Sequence, residues 1–179
     1  MRVGLMVGEG SGAAPELQGL IERGRLAERS GLDTAWIANI ALDAMTASAA
    51  LGAMTSRIEI GTAVVPTFTR HPVAMAQQAT STQMACSGRF SLGIGLAHKF
   101  MVEATWGLSY EKPAQQMRAY LEILQPLMQG KAVTHKNEQF DVKLAAMPEG
   151  TETSLLIAAL GPMMLKLAGQ LTAGTITWA

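Results

Sequence analysis

The strongest constraint on this chain is an alternation repeated along its length: a short apolar run, a turn, then a stretch with helical spacing. "RVGLMV" at 2–7 precedes a helical stretch from about Pro15 to Ser30, whose Leu17, Leu20, Ile21 and Leu26 share a face before Gly31 stops it. "TAWIANI" at 34–40 precedes a helix over Ala44–Met54, for which Asp43 is first of all a cap. "RIEIGTAVV" at 57–65 leads through a loop to a helix opened by Pro72 and running to about Ala85. "RFSLGIG" at 89–95 has no helix directly after it; the next start is Pro113, in a helix to about Met128 with Met117, Tyr120, Leu121, Leu124 and Met128 in register.

After Gly130, "KAVTHKNEQFDV" alternates like a short polar hairpin and interrupts the series. "SLLIAA" at 154–159, a helix from Pro162 to about Leu171, and "GTITW" at 174–178 resume it. Six apolar strands alternating with five helices predict an α/β fold of parallel strands with crossover helices. The near-continuous apolar runs predict strands covered on both faces. No charge block or Pro-Ser linker divides the chain, so residues 1–179 read as one domain.

Composition narrows the partners. With 14 basic and 14 acidic side chains and a pI near 6.8, nothing draws the chain to nucleic acid or an anionic membrane surface. The most apolar window, Ser154–Leu165, is far short of the roughly 20 residues a membrane helix needs. Glu9 breaks the apolar run Val3–Val7 before an export signal forms, and the single cysteine, Cys86, excludes an intrachain disulfide; a cytoplasmic protein is expected. Cys86 reads as a small apolar residue near a helix end. His71, His98 and His135 lie in different loops, so no metal centre is expected.

An open doubly wound sheet and a (β/α)8 barrel both fit, and both place ligands at the carboxyl ends of the strands. The loops after 7, 38, 65, 95, 159 and 178 are therefore the candidate site. At the fourth exit, Gly93-Ile94-Gly95 with His98 is not a dinucleotide fingerprint, because His98 replaces the third glycine and no helix begins there. Either Gly95 only turns the chain, or the two glycines leave room for a flat ring against the strand end.

At the fifth, small residues run into Gly161 and Pro162 at a helix start, which reads equally as a tight turn or as a phosphate site. The third offers Thr62, Thr67, Thr69, Arg70 and His71; Arg70 is a solvated arginine by default and an anion ligand as the alternative. Trp36, Trp106 and Trp178 are core residues first and pocket walls second.

"RIEIGTAVVPTFTRHPVAMAQQA", "GRFSLGIGLAHKFMVEATWGLSYEKPAQQMRAYLEIL", "LLIAALGPMMLKLAG" and "GTITW" together resemble the bacterial luciferase-like flavin-dependent oxidoreductases, in particular the branch that uses the deazaflavin coenzyme F-420. The resemblance implies a TIM-barrel-type (β/α)8 fold and hydride transfer between F-420, or alternatively FMN, and a small organic substrate. It implies that Asn39, Thr62, Ala63, Val64, Gly95, Leu96, Ala97 and His98 border the ring and its side chain, and that Ala158, Ala159, Leu160 and Gly161 meet the phosphate. It also implies a non-prolyl cis peptide at Ala63-Val64. His98 or His71 would donate a hydrogen bond or move a proton, or else bond a neighbouring carbonyl structurally.

The chain departs from the family pattern at Ala97, where a serine is usual, and in "LTAG" at 171–174, where an aspartate usually precedes the glycine. A full barrel takes about 250 residues, so about six β/α units are expected here, with strands seven and eight absent and the exposed edges covered in a homo-oligomer. A working oxidoreductase and a catalytically silent, ligand-binding or assembly-only relative both remain open on sequence.

Overall fold

The computed structural model describes residues 1–9, 12–146 and 152–177. Its main sheet is parallel throughout, in the order β1 (Gly4–Met6), β2 (Thr34–Ile37), β3 (Glu59–Thr62), β5 (Phe90–Gly95), β8 (Ser154–Ala158) and β9 (Gly174–Ile176); the two-residue β4 (Val65–Pro66) also pairs with β5. Helices α1 (Leu17–Arg29), α2 (Ala44–Ala53), α3 (Pro72–Ala85), α4 (Pro113–Met128) and α5 (Pro162–Leu171) supply the crossovers. The interrupting segment is an antiparallel hairpin, β6 (Val133–Lys136) with β7 (Asp141–Leu144).

Alternate residues of each strand meet different surroundings. Ala35, Ile37, Ile60, Phe90, Leu92, Ile94, Leu155 and Ile157 are buried in the main apolar cluster together with residues of all five helices, such as Leu20, Leu51, Met75, Leu121 and Leu167. Each fully buried aliphatic side chain of this kind contributes about 1.5–3 kcal/mol. The intervening residues are mostly small or polar: Gly4, Thr34, Glu59, Gly61, Ser91, Gly93, Gly95 and Ser154, with Trp36, Leu156 and Ile176 as the large exceptions. The expectation of strands covered on both faces holds for β5, buried at all six residues, and is corrected elsewhere: Gly4 and Ser154 are exposed, and Trp36, Glu59 and Leu156 are half-buried. The apolar runs are alternations in which glycine and serine stand in for the polar partner.

That second face is concave. The Trp36 ring lies so close over the neighbouring strands that a Cβ built on Gly61 would come within 2.2 Å of it, and one on Gly4 within 2.7 Å. Ile176 on β9 reaches Gly93 on β5, two strands away, a contact the curl of the sheet allows. Near the amino ends of the strands, Glu59 accepts hydrogen bonds from Arg2 and from the Ser91 hydroxyl.

Two polar residues tie the helices to the strands. The Arg89 guanidinium donates to the carbonyls of Gly52, Thr55 and Ile58 at 2.7–3.0 Å, serving the end of α2 where intrahelical partners run out. Glu28 Oε1 accepts from the backbone N–H groups of Ser56, Arg57 and Ile58 at 2.6–3.0 Å, fastening α1 to the approach of β3. Cys86 is the C-cap of α3, fully buried beside Gly52, and desolvation pushes its thiol up to about 11, so it is a packing residue as the sequence indicates.

Two further expectations change. The run 57–65 is two strands, β3 and β4, with a non-prolyl cis peptide at Ala63-Val64 between them; the bond stands where the family resemblance puts it. A helical segment does follow the fourth strand, beginning at Lys99 and passing into a π-helical turn over Met101–Thr105. Its Trp106 N–H reaches back five residues to the Met101 carbonyl, so its side chains do not follow the 3.6-residue period sought in the sequence.

Candidate active site at the strand exits

The second exit is fixed by its own polar side chains. Asn39 Oδ1 accepts from the Ala44 N–H at 3.0 Å, the first residue of α2, and this sets the amide so that its NH2 group is left to face outward as a donor. Asp43 caps the same helix through the Thr46 N–H at 2.8 Å, as the sequence predicts. Glu9, from the first exit, accepts from the N–H groups of Ala41 and Leu42 at 3.0 Å and so holds the turn carrying Asn39. Glu9 was not among the sequence candidates, since its partners lie 32 and 33 residues away.

The third exit commits several of its polar groups within the protein, while the buried Thr67 hydroxyl and Arg70 Nη1 have no partner among the described residues. Arg70, read as solvated by default, is half-buried and paired with Asp43 at 2.5 Å. Burial raises the Asp43 pKa, but bonds from the Thr46 N–H, Arg70 and the Thr46 hydroxyl outweigh it and hold the carboxyl below its usual range. His71 is the N-cap of α3, its Nδ1 accepting from the Val73 N–H at 3.3 Å; it bonds an amide rather than the carbonyl expected of a structural histidine. Its ring packs edge-on against Phe140 of the hairpin, with centroids 5.8 Å apart. The buried Tyr120 hydroxyl donates to the Arg70 carbonyl at 2.8 Å, and burial raises its pKa.

Thr62 is wholly buried, and its hydroxyl both donates to the Gly93 carbonyl and accepts from the Gly93 N–H, each at 2.9 Å. It joins β3 to β5; its one hydroxyl proton is committed to Gly93 and its complete burial keeps it from a ligand. Ala63 is buried and Val64 half-buried.

The fourth exit sharpens the question raised by its glycines. A Cβ at Gly93 would sit 2.1 Å from the Thr62 carbonyl oxygen and 2.5 Å from Ile176 Cδ1; one at Gly95 would sit 2.6 Å from Val64 Cγ2 and 3.1 Å from Ala158 Cβ. The space both glycines vacate is filled by the protein's own atoms. What faces outward is an apolar platform of the half-buried Val64 and Ala158 on either side of the Gly95 backbone. Leu96 is buried, and Ala97 adopts a left-handed turn with φ +59°, after which His98 is exposed.

Beside it, the fifth exit carries Ala159, buried, then Leu160 and Gly161, both exposed. Gly161 is the N-cap of α5 with no side-chain cap, and no atom lies within 4 Å of the position of a Cβ there. The free N–H groups of that first turn suit an anion. An apolar shelf on neighbouring strands, an outward amide at Asn39, His98 at the rim and an uncapped helix start fit a flat heteroaromatic group with an anionic tail.

Sequence candidates thus separate by role. Asn39, Val64, Gly95, Ala97, His98, Ala158, Leu160 and Gly161 have surface or backbone at the exits; Thr62, Ala63, Leu96 and Ala159 act from beneath, and His71 caps a helix. Trp178 and its exit lie outside the described residues. Among the described residues, no three His, Cys, Asp or Glu side chains are grouped to hold a metal ion, and no helix is long and apolar enough to cross a membrane.

A family model described as luciferase-like monooxygenase matches residues 1–179. An F-420-dependent glucose-6-phosphate dehydrogenase of Microbacterium testaceum is 33% identical over 174 residues, covering 88% of this chain and 52% of the relative. A 5,10-methylenetetrahydromethanopterin reductase of Archaeoglobus fulgidus is 34% identical over 159 residues, covering 85% and 46%. The chain spans about half the length of the curated relatives it matches.

Solved structures share the fold. The F-420-dependent tetrahydromethanopterin reductase of Methanopyrus kandleri superposes with TM-score 0.82 at 21% identity, over 99% of this chain and 55% of that one. An oxygenating component of 3,6-diketocamphane monooxygenase from Pseudomonas putida, in complex with FMN, gives 0.78 at 18%, over 98% and 57%. The sheet is accordingly part of a TIM-barrel-type architecture.

Proposed function

Because the chain belongs to the luciferase-like monooxygenase family, we propose that it binds the deazaflavin coenzyme F-420 across its strand exits and serves hydride transfer to or from a small organic substrate. The observation that carries the reading is the platform of Val64 and Ala158 flanking the Gly95 backbone, next to the uncapped start of α5. The relatives at 33% and 34% identity are named for F-420 and methanopterin chemistry, which favours the deazaflavin; the FMN complex among the structural neighbours makes FMN the alternative.

When bound, the deazaflavin supplies a two-electron hydride donor or acceptor. The chain's own residues do the rest. Val64 and Ala158 bear one face of the ring and exclude water from it. The Asn39 amide donates toward an acceptor at the ring edge, its direction fixed by Ala44. The first-turn N–H groups of Met163 and Met164, beyond Pro162 which has none, would hold the phosphate. His98, exposed beside the platform, is the side chain placed to move a proton there, at its imidazole nitrogens. His71 has its Nδ1 committed to Val73, which leaves His98 the better candidate.

Titrating the chain with F-420 and with FMN separately, followed by ligand fluorescence, tests this. Saturable binding of F-420, tighter than FMN, is expected; binding of neither sinks the reading and leaves a silent, assembly-only relative. We also infer self-association, because among the described residues β1 pairs only with β2 and β9 only with β8, leaving backbone groups on both outer strands. Sedimentation at micromolar concentration should show an oligomer, and a stable monomer would refute it.

A further inference from the structure

The segment from Ala97 to Lys112 holds three left-handed residues, Ala97 (φ +59°), Gly107 (φ +66°) and Lys112 (φ +48°), around the π-helical turn. A left-handed alanine costs about 1–2 kcal/mol relative to the right-handed form, so something must hold it. Phe100, Met101 and Leu108 in this segment are exposed, so burial anchors it at few points: Val102, which is fully buried, and the half-buried Trp106 and Tyr110. The Tyr110 ring stacks on Phe68 of the third-exit loop, with centroids 5.4 Å apart and planes 21° from parallel, and its hydroxyl lies 3.5 Å from the Ala97 carbonyl. One side chain therefore touches both the loop after β4 and the turn after β5. The same two exits are also joined through the Thr67 N–H, which donates to the Gly95 carbonyl at 2.9 Å.

We propose that Tyr110 is a positioning residue: stacked on Phe68, it latches the fourth exit to the third and holds the Ala97 turn in the form that presents His98 beside the platform. The latch is a property of the unliganded chain; its consequence for ligand binding rests on the function proposed above. The stack is the working part, because a hydrogen bond at 3.5 Å is weak, whereas an offset aromatic pair has a defined geometry that no aliphatic replacement reproduces. Tyr110 touches no reacting group and acts through the backbone of Ala97 and His98.

Two variants separate ring from hydroxyl. Tyr110→Phe keeps the stack and loses the hydroxyl; Tyr110→Ala loses both. Hydrogen exchange in the unliganded chain reads the latch directly at two amides, Thr67 N–H bonded to Gly95 and Val102 N–H bonded to His98 at 3.1 Å. Exchange at both should rise about tenfold or more in Tyr110→Ala and stay within about twofold of the parent in Tyr110→Phe, with the Ile60 and Ala63 amides in and after β3 unchanged as a check on folding. The dissociation constant for F-420 should rise about tenfold in Tyr110→Ala only.

Unchanged exchange at Thr67 and Val102 in Tyr110→Ala would overturn the proposal, as would equal loss in Tyr110→Phe, which would move the role to the hydroxyl. If the parent chain binds neither F-420 nor FMN, the function proposed above fails while the exchange measurement still decides the latch.

Discussion

Replacing Gly93 by alanine should destabilise the chain by about 3 kcal/mol, near the upper end of what forcing extra atoms into a packed interior costs. The added Cβ would lie 2.1 Å from the Thr62 carbonyl oxygen, a backbone atom that cannot swing aside, and 2.5 Å from Ile176 Cδ1, which can. Relief therefore requires β3 and β5 to part, and the Thr62 hydroxyl would lose both of its 2.9 Å bonds to Gly93. Denaturant unfolding should show the midpoint falling with little change in slope. The double change Gly93→Ala with Ile176→Ala should recover only a small part, because the backbone clash remains. A loss below about 1 kcal/mol in the single variant would mean that the two strands approach less closely than described.

Removing the Glu28 carboxylate should have the next largest effect. In Glu28→Ala the N–H groups of Ser56, Arg57 and Ile58 lose one shared acceptor, and hydrogen bonds to a charged group contribute about 1.5–3 kcal/mol. The site is half-buried, so water replaces part of this, and a net loss of about 2 kcal/mol is expected. Glu28→Gln should lose about half as much, since an amide oxygen still accepts but without charge.

The same carboxylate sets a pH dependence. Burial raises its pKa, but the three backbone bonds and nearby Arg89 together outweigh that and leave it below 4.5 in the folded state. Its contribution is therefore complete above the ordinary glutamate value and disappears as pH falls below 4.5 through the lower native value. Stability curves of the parent and Glu28→Gln should converge over that acid range. Curves that stay parallel down to pH 3 would show that the carboxylate carries no such linkage.

The order of elements was readable because each helix carries its own signals: Asp43 before Ala44, Pro72 and Pro113 at first helical positions, Gly31 and Gly130 past the ends. The cis bond at Ala63-Val64 came from family likeness alone; spacing gives no hint of it. The π-helical turn was illegible because its hydrogen bonds span five residues and its apolar residues, Phe100 to Val102, are consecutive.

Long-range pairings were hidden for a different reason. Whether Arg70 stays in water depends on Asp43, 27 residues earlier, and whether Thr62 keeps a free hydroxyl depends on Gly93, 31 residues later. Local sequence shows that a polar group is available, and only the fold shows that it is already used. This is why the third exit looked rich in ligand groups although Thr62, Arg70 and His71 are already engaged, while the fourth, open on sequence between a plain turn and room for a ring, is a shelf whose glycine space the protein's own atoms fill.

The Trp36 ring imposes an order on how this sheet can change over descent. With the indole in place, neither Gly4 nor Gly61 has room for a single methyl group, since the nearest ring atoms would be 2.7 and 2.2 Å away. Side chains at those two positions require the indole to shift or to be exchanged for something smaller. Until the glycines are filled, such an exchange leaves a hollow across three strands. The three positions are consequently coupled: a side chain gained at Gly4 or Gly61 is felt first at residue 36, whereas a smaller residue at 36 leaves both glycines tolerated.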